Sequence, residues 1–169
     1  MGNFWKLIIS IAVAQAAGII GSFFTTPAIP NWYANLARPE FTPPSWVFAP
    51  VWTALFLFMG IALFLVWKKY PDSITEKIGS FFNHSKRKIK IAIIIFAVQL
   101  ILNILWSIIF FGLQSPGWAF IEIIFLWLTI IITIFTFAKI SKTAAWLLVP
   151  YLLWVSFAAF LNYSIYALN

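Results

Sequence analysis

Five long apolar windows constrain this chain more than any other feature of its sequence. They cover residues 4–24, 46–67, 91–112, 118–137 and 145–166. A helix needs roughly 20 apolar residues to cross the hydrocarbon core of a bilayer, and each window is long enough. Hydrophobic residues fill 63% of the 169 positions, which is more than a water-soluble domain of this length can bury. The sequence therefore predicts an all-α integral membrane protein, a single domain over residues 1–169 with five transmembrane helices.

The first window has a second interpretation. Lys6 precedes a short apolar run, and Ala14-Gln15-Ala16 resembles the small-residue cleavage site of a secretory signal. Against a signal, the window stays apolar as far as Phe24 and carries small residues one helical turn apart. Gly18 and Ser22 follow Ala14 in this ridge. Such a ridge lets another helix approach closely, either within the bundle or from a second subunit.

The segment between the first two windows, residues 25–45, holds five of the nine prolines and cannot be one long helix. Asn31 is suited to cap a short helix over residues 32–37, which the proline that follows would end. We therefore expect loop 1 to be structured. Trp32 and Tyr33 either face the bundle or belong to an aromatic belt at the membrane interface.

The basic residues indicate the orientation. Ten of the eleven lie near the N-terminus (Lys6), in residues 68–90 or in residues 139–142, whereas loop 1 holds only Arg38. Because basic residues favour the cytoplasmic side, we expect the N-terminus and both basic loops in the cytoplasm, with loop 1 and the C-terminus outside. The net charge of +7 is explained by lipid headgroups, and nucleic acid is not an expected partner.

Polar and aromatic residues share helical faces inside three windows. The third window carries Gln99, Asn103, Trp106 and Ser107 on one face, the fifth carries Tyr151, Trp154, Ala158, Leu161 and Asn162, and the second carries Phe48, Trp52 and Phe56. Interhelical hydrogen bonds and aromatic core packing explain each face taken alone. Together they indicate a flat, mostly apolar cavity with a few polar anchors, suited to a planar hydrophobic ligand.

Few residues offer catalytic or metal chemistry. The only histidine is His84 in the second loop, and there is no cysteine. Met59 lies well along its helix from Trp52, so a metal-free tetrapyrrole fits better than haem. Glu122 is the one ionisable residue well inside a window, and we expect it to contact the loop-1 region, where Arg38 is the only cation, rather than to relay protons. No conventional active site and no metal site is predicted.

Four segments that follow one another along the chain carry a family resemblance. They are WYANLARP at 32–39, TPPSWVFAPVWT at 42–53, NILW at 103–106 and PYLLWVSFAAFLN at 150–162. In these segments the chain resembles the TspO/MBR family, the tryptophan-rich sensory proteins related to the mitochondrial translocator protein. The resemblance implies five helices, a homodimer, and a cavity capped by loop 1 that binds porphyrins and isoquinoline-type drugs.

The resemblance also assigns site residues. It implies a lining of Tyr33, Trp52, Asn103, Trp106, Trp154 and Ala158, with Pro43 near the mouth; helical periodicity adds Phe48 and Tyr151 to the predicted ligand contacts. The family usually has the shorter Asp at the position of Glu122. The sterol motif of the animal members is absent, because no basic residue follows Tyr163. No cofactor is expected, and porphyrin enters as a ligand.

Three functions follow as hypotheses. The first is a tetrapyrrole-binding sensor or carrier that responds to stress. The second is an enzyme-like breakdown of bound porphyrin under light and oxygen, with Trp52 and Trp154 as nearby electron donors. The third is a structural scaffold, which would need no open cavity. The many indoles and the scarcity of acid-base groups favour binding.

Overall fold

The computed structural model describes residues 2–70 and 80–169, apart from the side chains of residues 80–84. Within these ranges the chain is helical and has no strand. The helices are α1 (Asn3–Asn31), α2 (Phe48–Trp67), α3 (Ser80–Ser107), α4 (Pro116–Ala138), α5 (Lys142–Leu147) and α6 (Val149–Leu168). Among the described residues, five stretches are long and apolar enough to cross a membrane: 3–31, 45–67, 85–112, 116–138 and 142–168. The predicted all-α fold with five spans is confirmed, and the chain is a multi-pass membrane protein.

Helix α1 is longer than predicted. It continues past Pro27 and Pro30 and ends at Asn31. Two side chains bond to backbone carbonyls in this part of the helix: the Thr25 hydroxyl donates to the carbonyl of Gly21 at 3.1 Å, and the Asn31 amide donates to the carbonyl of Pro27 at 3.1 Å. The prediction that Asn31 caps a helix over residues 32–37 is therefore wrong. Asn31 closes α1, and loop 1 has two short 3₁₀ turns instead, Tyr33–Asn35 and Ser45–Val47.

Helix α3 begins before its apolar window. It starts at Ser80, so the basic residues Lys86–Lys90 lie on a helix rather than in a loop as predicted. Arg and Lys are good helix formers, and most of these side chains are exposed. The predicted loop residues 71–79 lie outside the described residues, as does the side chain of His84.

The fifth span consists of two helices. Helix α5 ends at Leu147 and α6 begins at Val149, with Leu148 between them. Pro150 lies in the first turn of α6 and has no amide hydrogen to donate to the preceding turn. The Leu148 amide instead donates to the carbonyl of Ala145 at 3.1 Å. The chain therefore changes helix immediately before the segment that carries Tyr151 and Trp154.

The small residues of α1 are used inside the bundle. A Cβ atom added to Gly18 would lie 2.5 Å from the ring of Phe56 on α2, and one added to Gly60 of α2 would lie 2.6 Å from the Cα atom of Ile11. Ala14 is completely buried. Of the two uses left open for this ridge, close packing within the bundle is the one observed.

Candidate ligand-binding cavity

A cavity of about 350 Å³ lies between α1, α2, α3 and α6, at the end of the bundle that carries loop 1. This volume falls in the range of small-molecule sites. Seven of the nine predicted contact residues line it: Tyr33, Phe48, Trp52, Asn103, Trp106, Trp154 and Ala158. Three separate helices and one loop thus supply residues that lie far apart in the sequence.

The structure does not bring the other two predicted residues to the cavity wall. Tyr151 is fully buried behind the wall, where its hydroxyl accepts a hydrogen bond from the Asn103 amide at 3.1 Å and its ring packs against Trp52 with centroids 6.2 Å apart. Tyr151 therefore positions two lining residues instead of lining the cavity. Pro43 lies in a separate shallow hollow, which meets the cavity only at Ser45.

Loop 1 closes the cavity through Tyr33. This side chain is buried, and its ring lies 6.3 Å from Phe110 and 5.8 Å from Phe111 between centroids. Trp32 also packs against Phe110, at 5.5 Å. The bundle-facing interpretation of Trp32 and Tyr33 is therefore correct, and the interfacial belt is wrong for them. Both phenylalanines reach loop 1 from a π-helical turn, Ile108–Gly112, that ends the third span.

The hydroxyl of Tyr33 is kept in its protonated form. Burial raises the pKa of Tyr33, while the nearby charge of Arg38 and a hydrogen bond from that side chain oppose the rise. The Tyr33 hydroxyl therefore stays neutral at physiological pH and can donate or accept a hydrogen bond at the cavity wall.

The indole nitrogens of two lining tryptophans differ in their partners. Trp106 Nε1 donates to Asn162 Oδ1 at 3.0 Å, which fixes the ring. Trp154 Nε1 is buried and has no hydrogen-bond partner among the described residues. Buried polar groups are normally paired, so an unpaired donor on a cavity-lining residue needs an explanation.

Sequence reasoning missed the contribution of α1. Nine of its residues line the cavity: Gln15, Ala17, Gly18, Ile19, Gly21, Ser22, Thr25, Thr26 and Ile29. Some of them are exposed on the surface of the bundle, and so are Ala49 and Thr53 on the α2 side. The cavity therefore opens sideways between α1 and α2, where the Gln15 amide donates to the carbonyl of Thr53 at 3.1 Å. The polar residues of α1 were the available signal.

Glu122 does not make the contact predicted for it. The side chain is buried on α4, and neither carboxyl oxygen has a hydrogen-bond partner in the described part of the chain. Arg38 lies instead over the ring of Tyr33, 5.3 Å from its centroid. The expected link from Glu122 to loop 1 is wrong because α4 packs against α3 and α6. Among the described residues, no group of three His, Cys, Asp or Glu side chains could hold a metal ion.

Comparison with known proteins identifies the family to which the chain belongs. The profile of the TspO/MBR family matches residues 10–168. The tryptophan-rich protein TspO of Archaeoglobus fulgidus is 43% identical over 167 residues, 99% of each chain. The protein of the same name from Chlorobaculum tepidum is 41% identical, covering 96% of this chain and 95% of the relative. The translocator protein of Ovis aries is 34% identical, covering 93% and 86%. The chain therefore belongs to the TspO/MBR family, membership of which supports a role as a membrane receptor or sensor.

Proposed function

We propose that this protein is a membrane receptor or carrier that binds a tetrapyrrole, such as a porphyrin, or another flat hydrophobic ligand inside the bundle. One observation carries the proposal: the indoles of Trp52, Trp106 and Trp154, from three helices, line a single cavity. Indoles stack on planar conjugated rings. The proposal requires no cofactor, and a scaffold would not need such a space.

Two polar groups would orient the ligand. Asn103 lines the cavity and is held in place by its hydrogen bond to Tyr151. A ligand that reaches the buried indole nitrogen of Trp154 would gain a donor that has no partner among the described residues. A few placed polar groups in a mainly aromatic wall are typical of sites that fix the orientation of an apolar ligand.

A titration in the dark tests this proposal. Protoporphyrin added to the purified protein should give a saturable shift of the porphyrin absorption band, with one porphyrin per chain. Binding that rises linearly with the amount of detergent or lipid, without saturation, would show partition into the apolar phase and would contradict the cavity assignment.

A second candidate function is the breakdown of bound porphyrin under light. The observation that favours it is that Trp52 and Trp154 both line the cavity, so a bound photosensitiser would lie beside two oxidisable indoles. Illuminating the complex with oxygen separates the two functions. A spectral shift without product supports binding alone. A discrete new product that needs light, oxygen and both tryptophans supports chemistry.

The proposed orientation places loop 1 outside the cell. The chain has no cysteine, so single cysteines can be introduced without background labelling. Asn35 and Lys139 are exposed at opposite ends of the bundle. In intact cells an impermeant thiol reagent should label Asn35→Cys and leave Lys139→Cys unlabelled until the cells are opened. The opposite labelling pattern would reverse the orientation and leave the five spans unaffected.

We also propose a homodimer. The ridge at Ala14 and Gly18 is occupied by packing within the chain, so the second subunit would contact another face. Light scattering in detergent should give twice the chain mass of 19.3 kDa after subtraction of the micelle. A monomer mass in mild detergent and in nanodiscs would contradict the dimer.

A further inference from the structure

A second, polar hollow adjoins the aromatic cavity. Loop-1 residues between 36 and 45 form this hollow, among them Arg38 and Thr42. Ser45 lines both spaces, so they meet at this residue. A ligand could therefore place an apolar ring system in the cavity and a polar substituent in the hollow.

Arg38 is held at the junction of the two spaces. Its guanidinium carbon lies 5.3 Å from the centroid of the Tyr33 ring, and Tyr33 lines the cavity. Stacking on the aromatic face and a hydrogen bond to Tyr33 restrain the side chain, and the remaining N–H groups of the guanidinium stay available as donors.

The charge of Arg38 has no carboxylate partner among the described residues. Glu40 lies two residues further along loop 1 and is exposed, and it forms no ion pair with Arg38. A guanidinium presents its donors in a fork that matches a carboxylate. A restrained and unpaired arginine beside an aromatic cavity is suited to the acidic group of an otherwise apolar ligand.

We propose that Arg38 forms an anion subsite, which binds a carboxylate carried at the edge of the planar ligand held in the cavity. This inference rests on the proposed function and narrows its ligand class. The preferred ligand is amphipathic: an apolar, planar ring system with at least one acidic side chain. Tyr33, which contacts Arg38 and lines the cavity, connects the two parts of the site.

Two porphyrins with the same ring system, one charged and one neutral, test the proposal. Protoporphyrin carries two carboxylates, and its dimethyl ester carries none. In a neutral detergent, which keeps lipid phosphates away from Arg38, the wild-type chain should bind the diacid about fivefold more tightly than the ester, as expected for a partly exposed ion pair of ~1 kcal/mol. Arg38→Gln should weaken binding of the diacid until the ratio is about one, and saturable binding of the ester by this variant shows that it is folded. Arg38→Lys should keep part of the preference for the diacid, because lysine retains the positive charge but lacks the parallel N–H donors of the guanidinium.

The matched control is Arg87→Gln, which removes the only other arginine. Arg87 is exposed at the start of α3, at the opposite end of the bundle from loop 1, and its loss should leave the ratio unchanged. A wild-type ratio near one, or a preference for the diacid that survives in Arg38→Gln, would overturn the subsite while the cavity proposal stands. If the wild-type chain bound neither porphyrin, the cavity proposal would fail, and the subsite with it.

Discussion

Replacing Trp154 by alanine should weaken porphyrin binding about thirtyfold, because removal of an aromatic platform from a desolvated pocket commonly costs ~2 kcal/mol. Trp52→Ala should have a similar effect. The Trp52 ring is held by Phe56, with centroids 5.7 Å apart, and by Tyr151, so it is a rigid stacking surface. The dissociation constants should be measured in the dark from the porphyrin absorption band, which does not depend on the number of tryptophans that remain.

Two control substitutions make this result specific. Trp154→Phe keeps an aromatic ring and removes the unpaired Nε1 donor, so its affinity should fall between those of the wild type and Trp154→Ala. Trp146→Leu alters an indole that is 72% exposed on the surface of the bundle and should leave the constant unchanged. Equal constants for the wild type, Trp52→Ala and Trp154→Ala would exclude the cavity as the binding site.

Gly18→Leu should destabilise the bundle and block the cavity together. Even a Cβ atom at this position would lie 2.5 Å from the ring of Phe56, and both residues line the cavity. Overpacking of this kind commonly costs roughly 1–3 kcal/mol, and displacement of Phe56 would disturb the stacking surface of Trp52. We expect a lower unfolding temperature in detergent and loss of saturable porphyrin binding.

Ala16→Leu is the matched control for this prediction. Ala16 lies on the exposed face of the same helix and does not line the cavity. The larger side chain would meet lipid or detergent there, so stability and binding should stay as in the wild type. Unchanged stability and binding in Gly18→Leu itself would contradict the packing of α1 against α2.

The sequence predicted the spans but not their ends. Apolar content located all five spans, because the hydrocarbon core sets their length. The residues at which the helices begin and end depend on individual hydrogen bonds, which cannot be predicted from apolar content. Helix α1 continues through Pro27 and Pro30, although proline usually interrupts a helix. The missing amide hydrogen of Pro150 divides the fifth span in two.

The sequence analysis predicted the aromatic wall of the candidate site and missed the α1 wall, where the polar residues were the only signal. Indoles and an amide at inward-facing positions, such as Trp52, Asn103 and Trp154, are conspicuous in an aliphatic helix, and the family resemblance named the same positions. On α1, small residues such as Ala17 and Gly21 have the same pattern whether they pack against a helix or border a cavity. Only the placement of α2 and α3 distinguishes these two roles.

The most direct test of the cavity as a ligand site follows the indole N–H groups by NMR. The chain has ten tryptophans, and labelling them with ¹⁵N gives one indole signal for each. A bound porphyrin has a strong ring current that shifts signals only at short range. One equivalent of protoporphyrin should move the indole signals of Trp52, Trp106 and Trp154, which line the cavity, and leave those of the exposed Trp5 and Trp146 in place. Shifts confined to the exposed indoles would show that porphyrin adsorbs to the lipid-facing surface, and would contradict the cavity as the ligand site.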